Sequence, residues 1–187
     1  MNFRLRAARN AVSLPLVVVA SALVLAACGG ASTATAGASA QSELDQGLEA
    51  HVAGDYDTAL THYRQALEDD PENKFAYYNI GLIDQLNGRM TDAEANYRAA
   101  LAIDADYVPA LFNLAIVRSL ADDFEEAVEL YQRVIELEPE RAGAHLNLGL
   151  ALSNLGRTDE AEAALARAIE LDPNLAIPDT SPALPSP

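Results

Sequence analysis

Three histidines, one cysteine and 28 carboxylates are the side chains of this 187-residue chain best suited to chemistry. A zinc site needs about four His, Cys or carboxylate ligands at short spacing, but His51, His62 and His145 are scattered and Cys28 stands alone. The acids bunch as Glu68-Asp69-Asp70 and Asp122-Asp123, a pattern of solvated helix ends rather than of calcium ligands. Ser153 has neither the glycine elbow nor the base that acyl transfer requires, and Gly29-Gly30 lacks the spacing of a phosphate loop. These residues point to no catalysis, no metal and no cofactor. What is regular is an amide. Asn79, Asn113 and Asn147 each interrupt an apolar run (YYNIG, LFNLA, HLNLG) at a constant step of 34 residues. An amide both donates and accepts, so a row of them can bond a polypeptide backbone whatever its side chains.

The elements that must hold such a row recur at the same step. With residues 40, 74, 108 and 142 as position 1, position 8 reads Gly47, Gly81, Ala115, Gly149 and position 20 reads Ala59, Ala93, Ala127, Ala161. Position 24 reads Tyr63, Tyr97, Tyr131, Leu165, and position 32 reads Pro71, Ala105, Pro139, Pro173. A fixed period in this range marks a repeat array. Within a unit, Tyr77, Ile80, Gly81 and Asp84, then Ala93, Tyr97, Ala100 and Leu101, follow the stripe of amphipathic helices. Asn87-Gly88 separates the two, and Thr91 with Glu94 reads as a capping box for the second. A glycine inside a helix costs ~1 kcal/mol against alanine, so its return at position 8 argues for close helix approach beside the ring at 24. The prolines at 32 end the second helix of a unit by biasing the preceding residue out of helix.

This register resembles the tetratricopeptide repeat, over residues 40–173 without insertion. The resemblance implies an all-α, right-handed superhelical α-solenoid of four helix-turn-helix repeats (40–73, 74–107, 108–141, 142–175). It also implies that the first helices line a concave groove, chiefly through positions 2, 5, 6, 9, 12 and 13. Carried onto this chain, the expected partner-binding groove comprises Phe75, Tyr78, Asn79, Leu82, Phe112, Asn113, Ile116, Leu146, Asn147 and Leu150. Position 5 carries Leu44, Tyr78, Phe112 and Leu146 rather than lysine, so the carboxylate clamp of chaperone-binding members is not expected. Glu43 and Gln46 make the first helix polar, as an N-terminal cap requires. After repeat 4 the sequence NLAIPDTSPALPSP, residues 174–187, is read as a loose Pro-rich tail rather than a capping helix. Leu171, Leu175 or Ile177 is therefore expected to be covered by self-association or by that tail.

The N-terminus follows another logic. Arg4, Arg6 and Arg9 precede an uncharged stretch to Ala27 that ends in LAAC, the pattern of a secretory signal over residues 1–27. LAAC resembles the bacterial lipoprotein box, which implies lipidation of Cys28; a mitochondrial targeting peptide or a plain cleaved signal are the other readings. Residues 28–41 then form a small, polar tether. Cleavage leaves 9 basic against 28 acidic residues. Such a balance lacks the basic footprint that nucleic acid needs, and a single cysteine forms no internal disulfide. The resemblance to tetratricopeptide lipoproteins implies a membrane-tethered adaptor or scaffold for a protein partner in pilus, secretion or cell-wall assembly. Gly29, where inner-membrane retention would place aspartate, favours the periplasmic face of an outer membrane. A small-ligand carrier working with a transporter, or a self-assembling structural module, are the alternatives.

Overall fold

The computed structural model describes residues 36–175. The stretch read as a signal and Cys28 lie outside them, as do the residues from Ala176 on, Ile177 among them. Eight helices follow one another: α1 (Ala36–Val52), α2 (Tyr56–Asp69), α3 (Lys74–Leu86), α4 (Met90–Ile103), α5 (Val108–Leu120), α6 (Phe124–Leu137), α7 (Ala142–Asn154) and α8 (Thr158–Leu171). Among the described residues there is no strand. The helices pair α1 with α2, α3 with α4, α5 with α6 and α7 with α8, and each pair leans on the next through its neighbour in the chain. The odd-numbered, first helices of the pairs also meet directly, α3 with α5 and α5 with α7.

Close approach within a pair comes from position 8. A Cβ added to Gly81 would lie 2.7 Å from Cε1 of Tyr97, and one added to Gly47 would lie 2.5 Å from Cε1 of Tyr63. At Gly149 the obstacle is Leu165, whose Cγ would be 2.7 Å away. The rings of Tyr63, Tyr97 and Tyr131 are fully buried, flanked by Ala59, Ala93 and Ala127 with no exposure at all. Burial raises the pKa of all three phenols. Their hydroxyls turn to position 12 of the same repeat: Tyr97 donates to Gln85 Oε1 at 2.7 Å, and Tyr63 lies 3.4 Å from His51 Nδ1.

The turn inside each pair is one motif used four times. The N–H of position 15 bonds the carbonyl of position 12 (Gly54 to His51, Gly88 to Gln85, Asp122 to Ser119, Gly156 to Ser153), and the N–H of position 16 bonds that of position 11. This is the Schellman arrangement, in which the residue after the cap takes a left-handed backbone. Gly54, Gly88 and Gly156 have φ of 79°, 73° and 72°, and Asp122 holds 60° without the freedom of glycine.

Several helix ends differ from expectation. α4 starts at Met90 with Arg89 as its cap and no side-chain cap bond, so Thr91 lies inside the helix and caps nothing. Glu94 is drawn away to Arg98 and Arg118. Side-chain caps occur instead at Asp55, Asn73 and Asp123, which accept from the N–H three residues on. α4 also ends at the same point as α2, α6 and α8 although Ala105 replaces proline, so proline is not what sets that end. α1 reaches back to Ala36, within the stretch read as a tether. Alanine is the best helix former, and Ala40 is 2 % exposed, so packing extends the helix. The first repeat does present a wet outer side, since Ser42, Gln46 and Glu49, at positions buried in α3, α5 and α7, are exposed. At the other end Ile169 is 45 % exposed and Leu165, Leu171 and Leu175 are half-buried.

Candidate partner-binding groove

In α3, α5 and α7 the side chains at positions 3, 7, 8 and 10 are buried: Ala76, Ile80, Gly81 and Ile83 in the first of these. On a helix, positions 2, 6, 9 and 13 then form one stripe on the opposite side. Across the array, three of these four positions make parallel lanes. Position 6 gives Asp45, Asn79, Asn113 and Asn147; position 9 gives Leu48, Leu82, Ile116 and Leu150; position 13 gives Val52, Leu86, Leu120 and Asn154. The four residues at position 9 are half-buried, whereas Val52, Leu86 and Leu120 are 73 %, 58 % and 45 % exposed.

The expected groove residues divide accordingly. Asn79, Leu82, Asn113, Ile116, Asn147 and Leu150 stand in the lanes. Phe112 and Leu146 are buried, at 4 % and 5 % exposure, and so belong to the packing between repeats rather than to an open wall. The ring of Phe112 is held edge-on by Tyr131, 5.9 Å between centroids, and the Arg141 guanidinium sits 4.3 Å above it. Tyr78 and Phe75 are half-buried at the N-terminal rim, where Tyr107 meets both edge to face at 5.4 and 5.7 Å. Lys74 lies 5.2 Å from the centroid of Phe75 and 5.0 Å from that of Tyr107, and is ion-paired with Asp104. Burial raises the Tyr78 pKa, opposed by the hydrogen bond from Asn113 and by the Arg141 charge.

The amides are not symmetrical. Asn79 Nδ2 donates to the carbonyl of Phe75 at 2.8 Å. Asn113 Nδ2 donates to the carbonyl of Pro109 and to the Tyr78 hydroxyl, both at 3.1 Å. Asn147 and Ser119 flank the Tyr131 hydroxyl. Donors are thus spent on the array itself, and among the described residues no hydrogen bond reaches Oδ1 of Asn79 or Asn113. The lane offers acceptors.

Sequence reasoning passed over Val52, Leu86 and Leu120. Their signal was there, three aliphatics at the 34-residue step, but only exposure separates them from core leucines.

The histidines are engaged apart from one another. His51 packs on Tyr56 and Tyr63, His62 Nδ1 lies 2.7 Å from Glu43 Oε2, and His145 Nε2 lies 2.9 Å from the Pro139 carbonyl. Among the described residues no three His, Cys, Asp or Glu side chains are grouped to hold a metal ion.

Family models agree with this architecture. Tetratricopeptide-repeat models match residues 120–177 and 75–140, and a TPR-repeat model matches 47–88, so that 47–177 is covered. The chain is an array of tetratricopeptide repeats. Solved tetratricopeptide structures share the fold. MamA is 23 % identical with a TM-score of 0.67, over 72 % of this chain and 78 % of its own. YrrB, described as a TPR protein with an unusual peptide-binding site, is 25 % identical with a TM-score of 0.66, over 70 % and 68 %. Pseudomonas aeruginosa pilF is 25 % identical with a TM-score of 0.66, over 75 % of this chain and 64 % of its own. No curated protein matches the chain. Tetratricopeptide arrays are in general protein-interaction modules rather than catalysts.

Proposed function

We propose that this protein is a membrane-anchored adaptor whose concave groove binds an extended or helical segment of a partner protein during cell-envelope, pilus or secretion assembly. The observation that carries this reading is the stripe of half-buried amides and aliphatics edged by the exposed Val52, Leu86 and Leu120, which repeats in register across the array. Isolated exposed leucines are ordinary, but contiguous apolar surface framed by polar groups marks interaction sites. The anchor rests on LAAC and Cys28. The likeness to pilF concerns the fold alone; the envelope role, at the periplasmic face of an outer membrane, rests on LAAC and on Gly29 after it.

The test places a photo-crosslinking amino acid at Asn113 or at Asp159, an exposed residue outside the stripe, in the full chain within its own cells. A polypeptide captured from Asn113 and not from Asp159 is expected. The same cells fed labelled palmitate are expected to label the protein, and Cys28→Ser to abolish the label and release the chain from membranes. Equal capture from both positions would overturn the groove, and equal labelling of the mutant would overturn the anchor.

A further inference from the structure

Building on that reading, we infer that the segment the groove takes is a basic amphipathic α-helix. Width argues first. Positions 6 and 13 lie seven residues apart on each helix, roughly 10 Å at 1.5 Å per residue, which matches the 10–12 Å girth of an α-helix with its side chains. A single extended strand occupies only ~4.8 Å and would cover one lane, leaving either the leucines or the amides in water. The two edges also differ in kind. One edge is aliphatic, through Val52, Leu86 and Leu120, exposed by 73 %, 58 % and 45 %. The other accepts hydrogen bonds, through the Asp45 carboxylate, whose Oδ1 already takes the Gln41 amide at 2.8 Å and whose Oδ2 is left over, and through the Oδ1 atoms of Asn79 and Asn113, whose own N–H groups are turned to Phe75, Pro109 and Tyr78. A backbone already folded as a helix has no N–H to give along its length, so the donors must be side chains, and lysine or arginine are donors only.

Charge agrees with the geometry. No Lys, Arg or His stands at positions 2, 6, 9 or 13 of any repeat, the two cations at the rim, Lys74 and Arg141, are ion-paired with Asp104 and Glu138, and the chain carries a formal −16. An acidic helix would meet acceptors and a repulsive field. The aliphatic edge ends where Asn154 takes position 13 of the fourth repeat, so the helix lies over repeats 1 to 3. Two steps between helices at roughly 10 Å each call for about 14 to 18 residues of helix. Its leucine-like face covers positions 9 and 13, and its basic flank lies over position 6, with a cation at the Asp45 end.

The full chain is titrated, at physiological salt, with three fluorescent synthetic peptides of about 18 residues: a helix with one leucine stripe and lysine flanks, the same helix with glutamate for lysine, and the lysine peptide with two prolines that break the helix. The lysine helix is expected to bind at least ~10-fold more tightly than either other peptide. Val52→Ser with Leu86→Ser and Leu120→Ser keeps the net charge and touches only exposed side chains, and is expected to weaken it at least ~10-fold. Asp45→Lys is expected to weaken the lysine helix and favour the glutamate one. Binding by the proline-broken peptide as tight as by the helix, preference for glutamate, or indifference to the triple substitution would each overturn the inference. Tighter binding of the broken peptide, lost in the triple variant, would sink the helix while leaving the groove. Absence of any capture from Asn113 in cells would instead remove the groove itself.

Discussion

Glycine at position 8 and the ring at position 24 act as one steric unit. Only 2.7 Å separates Cε1 of Tyr97 from where a Gly81 Cβ would stand, and the backbone oxygen of Ala93 is 3.3 Å away. The ring is fully buried and cannot swing out. Gly81→Leu is therefore expected to cost about 1–3 kcal/mol or more through overpacking. That lowers the melting temperature of a chain this size by roughly 2–12 °C. An unchanged melting temperature in far-UV circular dichroism would contradict the pairing. Ala115 shows that one repeat has adjusted to a methyl group, since it is buried beside Tyr131 with no exposure. This unit was legible in the sequence because both partners fall in one repeat and their sizes are complementary. The burial of Phe112 was not legible, because its lid is Arg141, the last residue before the next repeat, stacked at 4.3 Å. A side chain's depth depends on neighbours that periodicity alone does not place.

At the scale of helix and turn, all four Schellman closures have the same hydrogen bonds, but one has the wrong residue for its backbone. Asp122 holds φ at 60°, a region that costs an ordinary L-residue roughly 1–2 kcal/mol and aspartate somewhat less. Glycine removes that strain, partly offset by its greater freedom in the unfolded chain. Asp122→Gly is expected to stabilise the protein by about 0.5 kcal/mol, a rise of roughly 1–2 °C in melting temperature. A fall would mean that the Asp122 carboxylate, ahead of α6, favours the helix N-terminus by more than the strain it carries. The helix pairs and their order were plain in the sequence from the period and the helical stripes. Which residue capped each helix was not: Thr91 and Glu94 have the right spacing, yet Arg98 and Arg118 compete for Glu94 and the helix opens one residue before Thr91. The aliphatic edge of the groove escaped notice for a related reason, because a leucine at a helix end is core or surface according to what packs on it.

For the molecule as a whole, each repeat touches chiefly the next, so stability is a chain of neighbour terms. Charge reinforces the middle link. Arg118 on α5 reaches Glu94 on α4 at 3.0 Å and Glu126 on α6 at 2.7 Å, and is paired with Asp123. Arg98 joins Glu94 and Glu126 at 2.9 and 2.7 Å. The hydrogen bond from Arg118 holds the Asp123 pKa below its ordinary 3.8. Burial pushes the Glu94 carboxyl up, but bonds from Arg98 and Arg118 outweigh it and leave it below 4.5. Carboxylates with depressed folded pKa values stabilise above the unfolded values and lose that stability as pH falls through the folded ones. Melting temperature is thus expected to drop as pH falls below about 4.5, and Arg118→Met to flatten that drop while lowering the melting temperature at neutral pH. The same acid slope in wild type and variant would show that the network does not couple the repeats.

The tyrosines have a consequence for how this protein is watched. All seven lie between Tyr56 and Tyr131, tryptophan is absent, and residues 142–175 contain no tyrosine or phenylalanine. The last helix pair is therefore optically dark in the near ultraviolet, while every earlier pair carries a phenol in its core. Tyrosine emission follows the first three repeats and the seam where Asn147 of α7 meets the Tyr131 hydroxyl, and amide circular dichroism follows all four. Where α8 frays before the rest, amide circular dichroism begins to melt while tyrosine emission stays flat, and the gap between the curves measures the loosening of α8 without any label.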